Sequence, residues 1–360
     1  MSDLVELRRL RLVSHRLVAR APTSPLQALR HALALQGQDL TSAKWSVGAR
    51  VAGSTEAEVD AAFDRGELVR SWPMRGTLHV TASEDLGWML ALLAPRVIQS
   101  TARRRAELEL DERTLGRARE VAEHALEAGP RTRDEMLEAF EAKGIGTSGQ
   151  RGYHLLFHLG CLGVLCFGPM QGGEQCLVSV TRWIARPRLL MGDEAWGELA
   201  RRYVQSHGPV PASDLAAWAK LTVTESRRAL ALAGAHLEVR ELDGVPHYLA
   251  PSTEPHLDSS AQLLAGFDEY VLGHRDRRAI LDAAHAEAIV PGGNGVFRPT
   301  LVADGEVVGT WRRKAKKDLL TLTLTPFPDV KLRRAHRSLM TEAAERVGEF
   351  ASAPVEVAWA

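Results

Sequence analysis

The sequence predicts an α+β fold in which three small helical units in tandem are braced by a mixed β-sheet. Three observations predict it. One order of elements recurs three times at a spacing of roughly one hundred residues, far above the period of solenoid repeats. Each copy runs from amphipathic helices into a strand pair punctuated by glycine. After Pro251 the pattern changes to short alternating strands and one long helix. The 360 residues suffice for two or three domains, and 45% hydrophobic with 25% charged residues is the balance of a globular protein.

In the first copy, Leu4 to Val18 is expected as an amphipathic helix, and Pro25 to Leu35 as a second one. Ser24 stands at its N-cap and Pro25 at its first position, where the missing N–H costs nothing. Thr55 and Glu58 form a capping box for a third helix, which runs to Asp64 and stops at Gly66. Leu68 to Trp72 and Thr77 to Thr81 then alternate as a strand pair around Pro73 to Gly76.

The second copy repeats the order. Leu115 to Leu126, Met136 to Ala142 behind the capping box Thr132/Glu135, and Ser148 to Leu159 are the helices; Val164 to Phe167 and Cys176 to Val180 are the strands. In the third copy, Glu194 to Gln205, Asp214 to Ala219 after Ser213, and the helix opened by Thr222/Glu225 precede strands at Leu237 to Leu242 and His247 to Ala250. Asp243-Gly244 makes their turn. Helix, helix, helix, hairpin is the order of a winged helix. The expected organisation is winged helices over 1–110, 111–188 and 189–252, with a hairpin, sheet and helix region over 253–360. Each unit is small and gains core by packing on its neighbours.

In that last region Leu263 to Leu272 is expected as a strand feeding the acidic motif Phe267-Asp268-Glu269-Tyr270. Phe297 to Ala303 and Val307 to Arg312 form a hairpin around Asp304-Gly305. Leu319 to Thr325 is a half-buried strand, Val330 to Glu349 a helix and Val355 to Trp359 a last strand.

The N-terminus carries charges throughout and has no apolar core of a signal peptide, and no apolar run reaches spanning length, so a cytoplasmic protein is expected. Cys161, Cys166 and Cys176 lack a Cys-x-x-Cys pair and a neat fourth ligand. Small core residues are expected there, with no metal; His154 and His158 upstream keep a zinc site open as the alternative.

The net charge is zero, 45 basic against 45 acidic residues, so any nucleic-acid surface must be local. Between Trp311 and Arg337 nine Lys and Arg face only Asp318 and Asp329, which makes this segment +7 and the remainder −7. Arg312, Arg313, Lys314, Lys316 and Lys317 are the dense part of it. A phosphate-binding footprint is expected, with a merely solvated hairpin end as the bland alternative.

Gln36-Gly37-Gln38 is the candidate for the chemistry. An amide is neither acid nor base near neutral pH, but it orients water and directs its carbonyl dipole by hydrogen bonds. Such a pair suits a reaction whose leaving group departs without an acid. Asp39 next door is a candidate assisting base; it equally suits the cap of a following turn. The bland reading of the pair is a polar helix end satisfying loose backbone groups.

The stretch Arg70-Ser71-Trp72-Pro73-Met74-Arg75-Gly76-Thr77-Leu78-His79 resembles a signature of the AlkZ/YcaQ-like winged-helix DNA glycosylases. Phe267-Asp268-Glu269-Tyr270, Val290-Pro291-Gly292-Gly293-Asn294-Gly295 and Val307-Val308-Gly309-Thr310-Trp311 resemble the C-terminal half of the same family, so the likeness spans nearly the whole chain. It implies a C-shaped DNA-binding body and a catalytic Gln-Φ-Gln motif, matched by Gln36 and Gln38. Gly37 departs from the larger apolar residue usual between them.

The resemblance further implies a monofunctional DNA glycosylase acting on N7-alkylated, cationic purines in double-stranded DNA, with bulky adducts and interstrand cross-links in range. Arg75 and His79 would contact DNA; the alternative for His79 is packing. No cofactor is needed for such a hydrolysis. No lysine other than Lys44 accompanies the pair, so a Schiff-base lyase step is not expected. A monomer is expected, because three units in one chain give reach without a dimer. The competing reading is a non-catalytic winged-helix DNA-binding protein or transcriptional regulator, which would bind specific sequences and release no base.

Overall fold

Residues 2–18, 22–316 and 319–360 are described in the computed structural model. They divide into two compact units, Met1–Val59 with Trp196–Ala360, and Asp60–Ala195. This division cuts across the four segments read from the sequence, because the first segment separates at residue 59 and the third and fourth share one unit.

The chain opens with α1 (Asp3–Ser14) and α2 (Pro25–Ala32), followed by β1 (Ala34–Gln36), α3 (Leu40–Gly48) and α4 (Glu56–Asp64). Ser24 caps α2 by accepting from Gln27 N, and Thr55 and Glu58 exchange the two bonds of the expected capping box. The helix expected over Pro25 to Leu35 stops three residues early. Leu33 leaves the helix at φ 66°, ψ −56°, and the chain turns into β1. Helix α3 was not legible as periodicity; it is a short helix whose residues 43–48 are all buried.

The second unit continues with β2 (Leu68–Met74), β3 (Thr77–Ala82), α5 (Ser83–Ser100), α6 (Ala102–Glu107), α7 (Glu112–Glu127), α8 (Arg133–Ala142), α9 (Arg151–Cys161), β4 (Leu165–Gln171), β5 (Glu174–Ser179) and α10 (Val180–Trp183). Strands β3, β2, β4 and β5 lie side by side, every pair antiparallel. Helix α5 buries Leu86, Met89, Leu90, Leu93, Ala94 and Val97, a helical stripe. Helix α9 begins at Arg151 rather than Ser148, because Gly149 and Gln150 hold φ of 60° and 73°, outside a right-handed helix. Trp72 lies among Phe157 and Phe167 in the core. A Cβ on Gly160 would overlap its indole ring, so only glycine permits this close approach.

The first unit resumes with α11 (Gly192–His207), α12 (Ala212–Ala219), α13 (Val223–Ala233), β6 (Glu238–Leu242) and β7 (Val245–Leu249), again helices followed by a hairpin. The remainder is β8 (Ala261–Leu264), α14 (Glu269–Leu272), α15 (Ala286–Ile289), β9 (Thr300–Ala303), β10 (Glu306–Lys316), β11 (Leu319–Pro326), α16 (Arg334–Phe350) and β12 (Val355–Trp359). Its sheet has the order β12-β11-β10-β9-β8, mixed because β12 runs parallel to β11 while the other pairs are antiparallel. The strand expected over Leu263 to Leu272 is short. It ends at Leu264, Phe267 takes φ 61°, and Asp268 then caps α14 through Tyr270 N. The fold is therefore α+β, as expected.

Candidate active site

The amide pair sits on a segment fixed at both ends. Upstream, α2 ends with carbonyls that have no partner within the helix. Buried Arg202 of α11 supplies one: Nη2 donates to Arg30 O, and also to Leu29 O at 3.1 Å beside the bond that this carbonyl accepts from Leu33 N. A cation at a helix C-terminus also meets the negative end of the helix dipole. Ser206 Oγ lies 3.5 Å from Ala32 O and donates to Arg202 O at 2.8 Å. Thus held, the helix releases Leu33 into a sparsely populated backbone region, which costs about 1–3 kcal/mol and persists only where the surroundings enforce it.

Downstream, Asp39 caps α3. Its Oδ1 accepts from Ser42 N at 2.7 Å, so the local role that the sequence allowed is present. Between these ends Gln36 and Gly37 are buried and Gln38 is exposed. One amide is thus set in the protein and the other faces solvent, two residues apart.

A clamp from the C-terminal region locks α3 in place. Arg50, just past α3, makes two 2.9 Å bonds to Asp268, one from each terminal nitrogen, with both side chains buried. Glu269 accepts from Trp218 Nε1 at 2.9 Å, and Tyr270 donates its hydroxyl proton to Gly305 O at 2.6 Å. The acidic motif at 267–270 is therefore scaffolding. Trp45 of α3 packs on Phe350 at 5.2 Å between ring centroids, and a Cβ on Gly48 would overlap that same ring. Lys44 is buried and pairs with Glu56 at 3.2 Å.

A cavity of about 350 Å³ opens beside the segment. Buried Trp45, Trp311 and Phe350 line it together with exposed Asp39 and Arg313. Both indole N–H groups are already used, on the carbonyls of Leu263 and Leu264 at 2.8 Å.

The basic residues separate by strand alternation. Arg312 and Lys314 lie opposite Thr323 and Thr321, and Lys316 opposite Leu319; Arg313 lies opposite buried Leu322, on the face of Trp311. All four are exposed, and Arg313 alone of them lines the cavity. Lys317 lies outside the described residues.

Arg75 and His79 belong to the second unit. Arg75 and Gly76 form the two-residue turn between β2 and β3, with φ of 58° and 78°. His79 is buried to 0% exposure. Its Nδ1 lies 2.9 Å from Thr77 O, so it carries the proton, and Nε2 accepts from Arg75 at 2.8 Å. His79 thus braces Arg75 and presents no ring atom outward, the packing that the sequence left as its alternative.

The three cysteines are unbridged and buried. Burial pushes the Cys161 thiol up to about 12 and raises Cys166 and Cys176 as well, the opposite of a metal-binding or nucleophilic thiolate. Among the described residues no group of three or more His, Cys, Asp or Glu is placed to hold a metal.

Sequence reasoning missed Arg202, Arg50 and the cavity. Their partners are more than one hundred residues away in the chain, so no local pattern carried them. Helix α3 had one usable sign, Asp39 three residues ahead of Ser42, the spacing of a side-chain cap.

Comparison with known proteins gives the family. Residues 29–350 match the family described as "DNA glycosylase AlkZ-like". The protein is a DNA glycosylase. It is 25% identical over 343 residues to the "Interstrand DNA cross-link repair glycosylase" of Streptomyces sahachiroi, with 90% of each chain covered. The solved structure of Streptomyces sahachiroi DNA glycosylase AlkZ superposes with a TM-score of 0.81 at 23% identity, covering 99% of this chain and 100% of that one. The chain belongs to the AlkZ-like DNA glycosylase family. No helix among the described residues is long and apolar enough to cross a membrane.

Proposed function

We propose that this enzyme is a monofunctional glycosylase for N7-alkylated purines in double-stranded DNA, including bulky adducts and interstrand cross-links, with Gln36 and Gln38 as its catalytic residues. One observation carries the proposal. A buried and an exposed amide stand two residues apart on a segment held by Arg202 at one end and by the Asp39 cap at the other.

A purine alkylated at N7 is a cation in DNA and leaves as a neutral base, taking the electron pair of the broken N-glycosidic bond. No general acid is needed. The positive charge passes to the sugar, and amide carbonyl dipoles stabilise it. The pair also orients the water whose oxygen bonds to C1′. Asp39 Oδ1 is committed to the helix cap; the carboxylate remains exposed and accepts the proton that this water loses. A cross-linked base cannot be swung into a closed pocket, so an exposed Gln38 fits a substrate attacked in place. Relatedness to the Streptomyces sahachiroi cross-link repair enzyme supports the same substrate range.

The two helix-and-hairpin series, α7 to β5 and α11 to β7, support tandem winged helices, with a third in the N-terminal segment. Arg312, Arg313, Lys314 and Lys316, with Lys317 beyond the described residues, are assigned to phosphate contact, and so is Arg75 held by His79. The protein acts as a monomer, and a cytoplasmic location accords with such a substrate.

The test is base release from duplexes carrying N7-methylguanine or a nitrogen-mustard cross-link, scored as alkali-labile sites. Gln36→Ala and Gln38→Ala are each expected to slow release by about 100-fold, the cost of losing a preorganised dipole. Asp39→Asn keeps a capping side chain, so a rate loss there reports the proton acceptor. Release that survives both Gln substitutions overturns the site, and sequence-specific binding without release would restore the regulator reading. Arg312→Ala and Lys314→Ala should each lower the salt dependence of duplex binding by about one ion; an unchanged slope removes that residue from the interface.

A further inference from the structure

We propose that the cavity beside Asp39 binds the substituent carried on the alkylated purine, and that it is selective for a flat aromatic one. This rests on the glycosylase reading and adds to it which part of the lesion is recognised away from the reacting bond.

The cavity of about 350 Å³ exceeds what a methyl group needs and lies in the range of small-ligand sites. Its buried walls are the rings of Trp45, Trp311 and Phe350. Those rings are rigidly held. Each indole N–H is tied to a backbone carbonyl, and Gly48 lets Phe350 approach α3 more closely than any Cβ permits. Arg313 lines the same space from the exposed end of β10, where a guanidinium can lie over a bound ring. Asp39 lines it too, one residue from Gln38, so an occupant enters from beside the proposed reaction centre.

An extruded purine is the other aromatic candidate, and the ring walls disfavour it. A purine brings several donors and acceptors. The indole donors are spent, and the polar side chains lining the cavity come from the cap of α3 and from Arg313. A purine pushed against the aromatic walls would leave polar edges unpaired, at a cost an apolar ring does not meet.

The experiment compares duplexes holding N7-methylguanine, N7-benzylguanine and N7-(cyclohexylmethyl)guanine under single-turnover conditions. The wild-type protein is expected to favour benzyl over cyclohexylmethyl by roughly ten-fold in kcat/KM, since the two differ in flatness more than in apolar bulk. Ala265 and Ala351 also line the cavity; Ala265→Phe, which fills it, is expected to bring that ratio close to one, and Ala351→Phe does the same from another wall. Gln36→Ala is expected to slow all three lesions and keep the ratio. Equal benzyl and cyclohexylmethyl rates with the wild-type protein overturn the proposal without any variant. So does a ratio that survives Ala265→Phe, or a loss that falls equally on methyl and benzyl lesions, which would place the base itself in the cavity. Absence of release from every lesion would instead remove the glycosylase reading and this proposal with it.

Discussion

Both compact units have an apolar core, and they differ in the polar groups buried beside it. The interior of Asp60–Ala195 is apolar and aromatic, with Trp72, Phe157, Phe167 and two buried cysteines in one cluster. The unit that holds the amide pair buries a polar network. His15 and His274 face each other with ring nitrogens 3.1 Å apart, His274 reaches Asp214 at 3.4 Å, and Arg11 pairs with the same carboxylate at 3.5 Å. His207 stacks on Tyr203 and approaches Glu269 at 3.5 Å. An apolar core specifies shape by volume; a buried polar network specifies it by requiring every partner in place. The site therefore rests on the unit whose stability depends on protonation.

The largest expected effect breaks the apolar side. Trp72→Ala removes a buried indole and should destabilise the second unit by about 3–5 kcal/mol. Hydrogen exchange followed across the chain should show faster opening in residues 60–195. Uniform acceleration through both units would mean that they unfold together and that the contrast has no energetic content.

Acid should break the other side. Burial, reinforced by neighbouring imidazoles, holds His15 well below its usual value; burial and Arg11 do the same to His274, and His31 is pushed down to about 4, chiefly by burial. These groups are neutral in the native state and take up protons when the unit unfolds. Stability is therefore complete above about pH 6.5 and is lost as pH falls from there toward the native values. His31 alone accounts for up to about 3 kcal/mol between pH 7 and pH 4. Asp214 acts in the opposite direction, because burial raises its carboxyl and protonation relieves it. In the second unit burial also lowers His154 and His158, which are less enclosed. Exchange at pH 5 should accelerate first in residues 2–59 and 196–360; earlier opening of residues 60–195 would contradict the assignment.

Local chemistry was legible in the sequence wherever it was local. The capping boxes at Thr55, Thr132 and Thr222, the Asp243-Gly244 turn and the basic hairpin all follow from residues within a few positions of one another, and all are present. The Gln pair could be singled out because its neighbours resembled a family motif. What held it was not legible. Arg202, on another helix, binds the carbonyls of Leu29 and Arg30 just before Leu33 leaves the helix. His79 looked like a DNA-facing residue because its position follows a turn arginine, and only burial reveals that it braces Arg75 instead. Phe267-Asp268-Glu269-Tyr270 looked like a strand end, and it proved to be a clamp at the far end of α3, the helix that follows the amides.

The central claim is that two amides suffice because the departing base is already a cation. It is tested most directly by comparing release of N7-methylguanine and of hypoxanthine, an uncharged purine, from otherwise identical duplexes. A catalyst without a general acid should release the cationic base faster by about a thousand-fold or more, since it lacks the 10²–10⁴-fold that proton donation supplies to a neutral leaving group. Comparable rates for the two bases would contradict it and require an acid that the Gln36-Gly37-Gln38 segment does not provide.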